Sequence, residues 1–478
     1  MLLSANLRDK NEVLLKKIAP FGLSFIGGLL TQGYLLANNS DAVKTRPNII
    51  FILADDWGYG DLGCFNAEVE TPNLSKLISQ GTFYTQFYVN SPVCSPSRAS
   101  IITGHFPARH QIHAHIMGPE ENAKREMPNW LDENLPVYLP RMLQEAGYLT
   151  AHFGKWHLGG GGLPNGDPTA PEPKEYGYNE TRVWNGNGPT WKGDQFWSTP
   201  RWMLYDTVWA QNSSKLAVNA TIDFFKRHKG EKPIFVNLWL KDPHTPLCPN
   251  EQQLKPYKNR GLVPEKETYY AVLTDADYHI GRLMEALTEM GLDKNTLVLF
   301  SSDNGPAHYE PGLTAGSTAG LKGRKYDIFQ GGVNVPFIVH WPEHVAAGVV
   351  DSISVLSAVD LLPTFCELVH KELPEGYEPD GESFASIFEN IPFKRTKPLF
   401  WDWRFSTVSE NPQHATQWPE NAVLMGDWKL YYNSDIDSTE LYNIKKDRFE
   451  RNNLSNKNPL KANELLMLLK NWKKSLPE

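Results

Sequence analysis

The apolar residues of this chain alternate between short continuous runs and spaced, helical patterns. Continuous or strand-like runs, typical of strands buried on both faces of a parallel sheet, occupy residues 48–54, 83–89, 149–153, 234–240, 296–300 and 337–340. Periodic segments that predict helices occupy residues 73–80, 137–146, 215–228, 267–289 and 360–369, with a further helix expected from Arg98. This alternation predicts an α/β fold with a doubly wound, mostly parallel sheet sandwiched by helices.

The pattern changes in two places. Residues 159–201 are rich in Gly, Pro, Asn and Trp and show no periodicity, so we expect a long loop that shapes a substrate wall. Beyond about residue 390, short aromatic runs at 398–404 and 428–432 predict a small antiparallel sheet. We therefore expect an α/β domain over 43–390 and a smaller α+β subdomain over 391–478.

The N-terminal segment has the pattern of a signal peptide. A polar stretch ending in Lys16-Lys17 precedes an apolar run at 19–37, so residues 1–42 are left out of the predicted fold. The alternative is a membrane anchor of one helix. No later stretch is apolar for long enough to span a bilayer. We expect an exported protein, free of the membrane after processing, in a bacterial periplasm. Asn-x-Ser/Thr sequons, as at 179–181, leave a secreted or lysosome-like eukaryotic protein open.

Charge and cysteine content exclude several classes of protein. A net charge of −8 argues against a nucleic-acid surface, which needs clustered Lys and Arg. The four cysteines have no Cys-x-x-Cys spacing, so the chain is neither a disulfide scaffold nor a zinc-binding module.

Two polar pairs stand at the carboxyl ends of predicted buried strands, where ligands bind in open α/β sheets. Asp55 and Asp56 follow the first strand, and Asp303 and Asn304 follow the strand at 296–300. Hard divalent cations prefer several oxygen ligands, so together these side chains predict a Ca²⁺ or Mg²⁺ site. Either pair alone is also an ordinary turn sequence.

Four segments then point to a known family. They are Arg-Pro-Asn-Ile-Ile-Phe-Ile-Leu-Ala-Asp-Asp-Trp-Gly-Tyr-Gly-Asp at 46–61, Cys-Ser-Pro-Ser-Arg at 94–98, Gly-Lys-Trp-His-Leu-Gly at 154–159 and Ser-Asp-Asn-Gly at 302–305. In this order they resemble the type I, formylglycine-dependent sulfatases of the alkaline phosphatase superfamily, and in particular bacterial arylsulfatase A-like carbohydrate sulfatases.

The resemblance implies a nucleophile that is made after translation. A formylglycine-generating maturation enzyme would oxidise Cys94 to formylglycine, whose hydrated aldehyde attacks sulfur with one hydroxyl and expels sulfate with the help of the second. It also implies that Cys94 joins Asp55, Asp56, Asp303 and Asn304 around a divalent metal, Ca²⁺ or Mg²⁺, which acts as a Lewis acid.

The resemblance assigns roles to four further residues. Arg98 would stabilise the ionised diol, and a helix beginning after Pro96 would turn its free N–H groups toward the sulfate. Lys155 would contact sulfate, while His157 hydrogen-bonds the diol. His244, in Pro-His-Thr-Pro, matches the family's Pro-His-x-Pro segment, so it binds substrate near the leaving oxygen and is the candidate general acid.

A last cation is expected before the Gly-Gly-Val-Asn-Val-Pro segment at 331–336. Spacing selects Lys325 as the substrate-binding lysine, with Lys322 as its rival. The segment departs from the family's Tyr-Glu-Gly-Gly by having Phe329-Gln330 before the glycines.

We thus expect a sulfuric ester hydrolase acting on a sulfated polysaccharide or glycosaminoglycan fragment. One alternative is a phosphate or phosphonate ester hydrolase of the same superfamily, and another is an unmatured chain that only binds sulfated glycans. Side chains that would bind the sugar or further sulfates, or else serve packing and capping, are Trp401, Trp403, Arg404, His105, His110, His113 and His115.

Overall fold

The computed structural model describes residues 46–159, 169–184, 207–307, 315–404 and 419–477. The segment at 1–42 and much of the expected loop at 159–201 lie outside these ranges. Within them, no helix is long and apolar enough to cross a membrane.

A large sheet forms the centre of the molecule. Within the described ranges its nine strands are β1 Asn48–Ala54, β2 Thr82–Tyr88, β3 Leu149–Lys155, β4 Glu180–Trp184, β5 Ile234–Trp239, β6 Thr296–Ser302, β7 Asn334–His340, β8 Val349–Asp351 and β9 Leu356–Ser357. The strand order is β4-β3-β5-β1-β6-β7-β2-β8, and β9 pairs with β2. β7 runs antiparallel to β6 and β2, whereas the other pairings are parallel. The predicted fold class is confirmed.

Helices cover both faces of this sheet. The α-helices of the described ranges are α1 Pro72–Gln80, α2 Cys94–Thr103, α3 Pro119–Lys124, α4 Leu139–Glu145, α5 Thr207–His228, α6 Glu251–Leu254, α7 Pro264–Glu289, α8 Gln330–Val333, α9 Leu361–Leu368 and α10 Pro459–Lys474, of which α10 packs on a different, smaller sheet. Ile50 and Ile52 of β1 face one core, with α1, α5 and α7, while Phe51 and Leu53 face the other, with α2, α4 and α9. Because both faces are covered, the strand is apolar at every position.

A second sheet follows, as expected, near the C-terminus. It is antiparallel, with β10 Leu399–Asp402, β11 Asn421–Met425, β12 Trp428–Asn433 and β13 Ser438–Asn443 in that order. Its Phe400 stacks on Trp472 of α10 at 4.6 Å, and Phe106 packs edge-on against both rings. The two sheets share one hydrophobic core, so the boundary at residue 390 stays a prediction.

Two local expectations were wrong. The helix expected from Arg98 begins at Cys94, because Pro96 falls in the first turn, where its missing N–H has no partner to lose. The expected loop contains β4, whose Thr181 and Val183 are buried beside β3. Trp184 is buried as well, in the core on the other face from Val183, so the alternation is short and does not stand out among Gly and Asn.

The parallel strands set the position of the site. β1, β3, β5 and β6 are neighbours that run in one direction, so their carboxyl ends meet at one edge. Asp55, Lys155, Lys241 and Asp303 stand at these four strand ends.

Candidate active site

Cys94 is the first residue of α2 and lies at the carboxyl edge of the sheet. Its side chain is buried; Sγ donates to Asp55 Oδ1 at 3.3 Å and lies 3.5 Å from Lys155 Nζ. Burial, with the charges of Asp303 and Asp55, raises the pKa of the thiol well above its usual value. Because the thiolate is the reactive form of cysteine, the unmodified side chain is a poor nucleophile at this position.

Two buried cations hold two of the carboxylates around Cys94. Lys155 Nζ lies 2.5 Å from Asp55 Oδ2, and Arg98 donates from Nε and Nη2 to Asp303 Oδ2 at 3.0 and 2.7 Å. Burial works to raise the pKa of Asp55, but Lys155, His244 and Arg98 hold it well below its usual value. Burial and the charge of Asp55 raise the pKa of Asp303 to about 6.

Asp56 occupies the adjoining corner of the site with a left-handed backbone, φ 67°. Its carboxylate accepts from Asn304 Nδ2 at 2.6 Å and lies 2.7 and 2.8 Å from Lys325 Nζ. His244 Nε2 lies 3.7 Å away. Burial works to lower the pKa of Lys325, but the charge of Asp56 together with other nearby groups raises it well above its usual value.

The same side chains fit a divalent metal. Ligand atoms of Asp55, Asp56, Cys94 and His244 all lie within 4.8 Å of one another. Asn304 Oδ1 is buried and has no hydrogen-bond partner among the described residues. A buried amide oxygen in that condition is explained by a missing ligand, and carboxylate and amide oxygens are what Ca²⁺ and Mg²⁺ prefer. The Cys94 sulfur stands where an oxygen of formylglycine would lie.

His157 follows β3 in a left-handed turn, φ 58°. Its Nε2 lies 3.2 Å from the Ile116 carbonyl oxygen, and Nδ1 is buried without a hydrogen-bond partner in the part of the chain that is described. Burial and the nearby charges of Lys155 and His115 lower its pKa well below the usual value, which keeps the ring neutral. A ring that donates from Nε2 presents Nδ1 as an acceptor.

His244 lies in the loop after β5. Lys241, which the sequence did not single out, holds this loop because its buried Nζ donates to the carbonyl oxygens of His244 and Pro246 at 2.5 and 2.9 Å. Burial and the charge of Lys325 lower the pKa of His244 to about 3. The sequence signal for Lys241 was its place at the end of a strand, two residues before a proline.

The geometry separates the two candidate lysines of the following loop. Lys325 lies beside Asp56, whereas Lys322 Nζ lies 3.7 Å over the Phe329 ring and 3.1 Å from Glu440 of the second sheet. Lys325, the lysine that the spacing before the glycine segment selects, therefore lies in the site, and Lys322 lies outside it.

Of the candidate sugar-binding residues, most have packing or pairing partners away from the site, and His115 lies at the site. Trp401 is buried and donates to the Val89 carbonyl oxygen at 2.8 Å, which is a packing role. Elsewhere in the set, Trp403 is buried, Arg404 lies 3.0 Å from Asp402, His105 and His110 stack on each other, and His113 lies 4.0 Å from Asp402. The ring of His115 lies 6.4 Å from that of His157, at the site.

Comparisons with known proteins agree with this geometry. The sulfatase family model matches residues 47–371, and a model described as N-sulphoglucosamine sulphohydrolase, C-terminal, matches 324–475. An N-acetylgalactosamine-6-O-sulfatase of Bacteroides thetaiotaomicron is 27% identical over 90% of this chain and 93% of its own. Arylsulfatase A of Bos taurus is 33% identical over 70% of this chain and 66% of its own.

A solved structure extends the likeness to the fold. Ps i-CgsB, solved in complex with k-i-k-neocarrahexaose, superposes with a TM-score of 0.73 and 26% identity over 90% of this chain and 93% of that one. The family model covers more than half of the 478 residues, and its range contains the Cys94 helix and all four strand ends of the site. The chain therefore belongs to the sulfatase family, enzymes that hydrolyse sulfate esters.

Proposed function

We propose that this chain removes sulfate from a sugar of a sulfated polysaccharide or glycosaminoglycan fragment, with formylglycine at position 94. The observation that carries the proposal is the burial of Cys94 between Asp55 and Lys155, where its thiol is held neutral. A maturation enzyme would supply the modification. Hydrated formylglycine provides one hydroxyl to attack sulfur and a second to release the bound sulfate.

The proposed divalent metal is Ca²⁺ or Mg²⁺, held by Asp55, Asp56, Asp303 and Asn304. When bound, it neutralises sulfate oxygens and lowers the pKa of a coordinated hydroxyl. Arg98 fixes the orientation of Asp303 through two donors on one oxygen.

Lys155 and Lys325 are proposed to bind the sulfate group. Lys155 lies 2.5 Å from Asp55, Lys325 lies 2.8 Å from Asp56, and both lysines act electrostatically on Cys94, so an anion bound beside Cys94 meets two fixed ammonium groups. A sulfate ester carries one charge fewer than a phosphate monoester dianion, and the three buried carboxylates Asp55, Asp56 and Asp303 limit the net positive charge of the site. This balance favours sulfate over phosphate.

His244 is proposed to bind the substrate at the leaving oxygen. Its Nδ1 lies 2.8 Å from the Thr245 carbonyl oxygen, which orients Nε2 toward Asp56 and the interior of the site. A group in that position contacts the oxygen that bonds sulfur to the sugar when sulfate lies between the two lysines.

The names of the relatives reduce the number of sugars to be tested as substrates. One is named N-acetylgalactosamine-6-O-sulfatase and shares most of the length of this chain, so N-acetylgalactosamine 6-sulfate is the first sugar to test. We also propose export directed by residues 1–42, which rests on their basic and apolar pattern.

The deciding experiment compares esters at matched concentration. Protein produced together with a formylglycine-generating enzyme is assayed on 4-nitrophenyl sulfate, on 4-nitrophenyl phosphate and on sulfated monosaccharides and disaccharides. We expect a higher kcat/KM for the aryl sulfate than for the aryl phosphate, and sulfate release from at least one sugar. Faster phosphate hydrolysis would favour the phosphoesterase alternative, and binding without turnover would favour the non-catalytic one.

A further inference from the structure

The segment that carries His115 is fixed against the nucleophile helix. Ile116 donates its N–H to Ser95 Oγ at 2.9 Å, and its carbonyl oxygen lies 3.2 Å from His157 Nε2. Asn122 then holds the next residue, Met117, by a pair of hydrogen bonds of 2.8 and 2.9 Å. His115 therefore has a backbone position set by the residue next to Cys94 and by His157.

His115 is more exposed than the floor of the site. Asp55, Cys94 and Lys155 on the floor are buried, whereas His115 is only partly buried, and its ring is tilted by 49° to that of His157 at 6.4 Å. The ring lies beside His157, and Lys325 and Lys155 are close enough to act electrostatically on it, so His115 is a neighbour of the two proposed sulfate-binding lysines.

The chemical state of His115 suits a neutral ligand group. Burial, together with the charge of Arg125, lowers its pKa well below the usual value, so the ring is neutral. A neutral imidazole carries no charge to pair with an anion, so it suits an uncharged hydroxyl of the sugar rather than the sulfate group. The floor already carries the cations that an anionic sulfate requires.

We propose that His115 is a substrate-binding residue of this site, which hydrogen-bonds a hydroxyl of the sugar ring that bears the sulfate. The inference rests on the proposed carbohydrate function and extends it to the part of the substrate outside the sulfate group. His105, His110 and His113 lie close to His115 in the sequence, yet their rings contact Tyr377, each other or Asp402 and do not share this position.

The test separates the sugar from the sulfate group. The variants His115→Ala and His115→Gln are made in the matured enzyme, and kcat/KM is measured on 4-nitrophenyl sulfate and on the sulfated monosaccharide that wild type cleaves best. We expect His115→Ala to lower kcat/KM for the sugar by about 10- to 100-fold, the loss of one buried hydrogen bond, and that for the aryl sulfate by less than about 3-fold. His115→Gln, which keeps a donor and an acceptor, should recover part of the loss.

A matched control is His340→Gln. This histidine is buried and ends β7, the antiparallel strand, at the sheet edge opposite the site. We expect the kcat/KM of His340→Gln to equal that of wild type on each of the two esters. An equal loss on both esters in His115→Ala, or no loss on the sugar, would overturn the inference alone.

Failure of the proposed function has a different signature. In that case wild type cleaves 4-nitrophenyl sulfate but none of the sulfated sugars, and Cys94→Ala binds none of them in calorimetry. That result rejects the carbohydrate assignment and the role of His115 together. Sugar turnover in wild type with an unchanged sugar-to-aryl ratio in His115→Ala rejects only the role of His115.

Discussion

Lys155 Nζ lies 2.5 Å from Asp55 Oδ2, and both side chains are completely buried beside Cys94. A buried carboxylate without its cation is strongly destabilising. We predict that Lys155→Met lowers kcat/KM by about 100-fold or more, because it removes a fixed charge at the sulfate. In metal-free buffer it should also lower the free energy of unfolding by about 3 kcal/mol.

Urea unfolding with and without added Ca²⁺ measures the second effect. Bound metal should reduce the loss, since it offers Asp55 another cation. Lys294→Met is the control, because Lys294 pairs with Glu343 at an exposed position and should show no measurable change. If Lys155→Met were as stable as wild type without metal, Lys155 would not be needed to stabilise the buried carboxylate of Asp55.

A second prediction concerns the buried amide of Asn304. Asn304→Leu removes an oxygen that lacks a protein partner in the described residues, so metal affinity should fall by about 10-fold or more. Calorimetric titration of EDTA-treated protein with Ca²⁺ and with Mg²⁺ measures this and identifies the preferred ion. Asn295→Leu, at the other end of β6, should bind metal as wild type does. Unchanged affinity in Asn304→Leu would place the metal elsewhere.

The third prediction uses the neighbouring lysines of one loop. Lys325→Ala should lower kcat/KM for an aryl sulfate by about 100-fold or more, because Lys325 lies at the proposed sulfate position. Lys322→Ala should stay within about 3-fold of wild type, since Lys322 pairs with Glu440 at the second sheet. A larger loss in Lys322→Ala than in Lys325→Ala would show that Lys325 is not the sulfate-binding lysine.

The fourth prediction links the second sheet to this loop. Buried Glu450 accepts from the Gln330 N–H at 3.0 Å, and buried Lys429 donates to the Ile328 carbonyl oxygen at 2.9 Å, so both hold the segment that follows Lys325. We predict that Glu450→Ala lowers the free energy of unfolding by about 3 kcal/mol, because Lys429 loses its nearby negative charge. It should also raise KM for sulfate esters.

Equilibrium unfolding and initial-rate kinetics test both effects of Glu450→Ala. Glu464→Ala, which breaks an exposed pair with Lys461 on α10, should change neither quantity measurably. A stable Glu450→Ala variant with normal KM would mean that the second sheet does not position Lys325.

Much of the site could be predicted because its residues stand at the ends of strands that are apolar throughout. Continuous runs such as residues 48–54 identify the buried strands, and parallel strands bring Asp55 and Asp303 to one edge whatever the intervening chain does. Edge strand β4 was missed because its alternation of buried positions, at Thr181 and Val183, is only two residues long. The start of α2 at Cys94 was missed because Pro96 is equally compatible with a later start.

Tertiary position accounts for what the sequence did not distinguish. His113 and His115 are two residues apart in an irregular segment, and no local pattern separates the ring near Asp402 from the ring beside His157. Lys241 was missed despite its place at a strand end, since a lysine after a strand is ordinarily exposed, whereas here burial among carbonyl oxygens gives it a structural role.

The most direct test of the account is the joint measurement of modification and turnover at position 94. Mass spectrometry of the peptide containing Cys94 is combined with sulfate release by wild type and by Cys94→Ala, each produced with a maturation enzyme. We predict that wild type shows the mass loss of formylglycine and an activity proportional to the converted fraction, while Cys94→Ala is folded and inactive. Substantial sulfate release by Cys94→Ala, or by unconverted wild type, would show that formylglycine at position 94 is not the nucleophile.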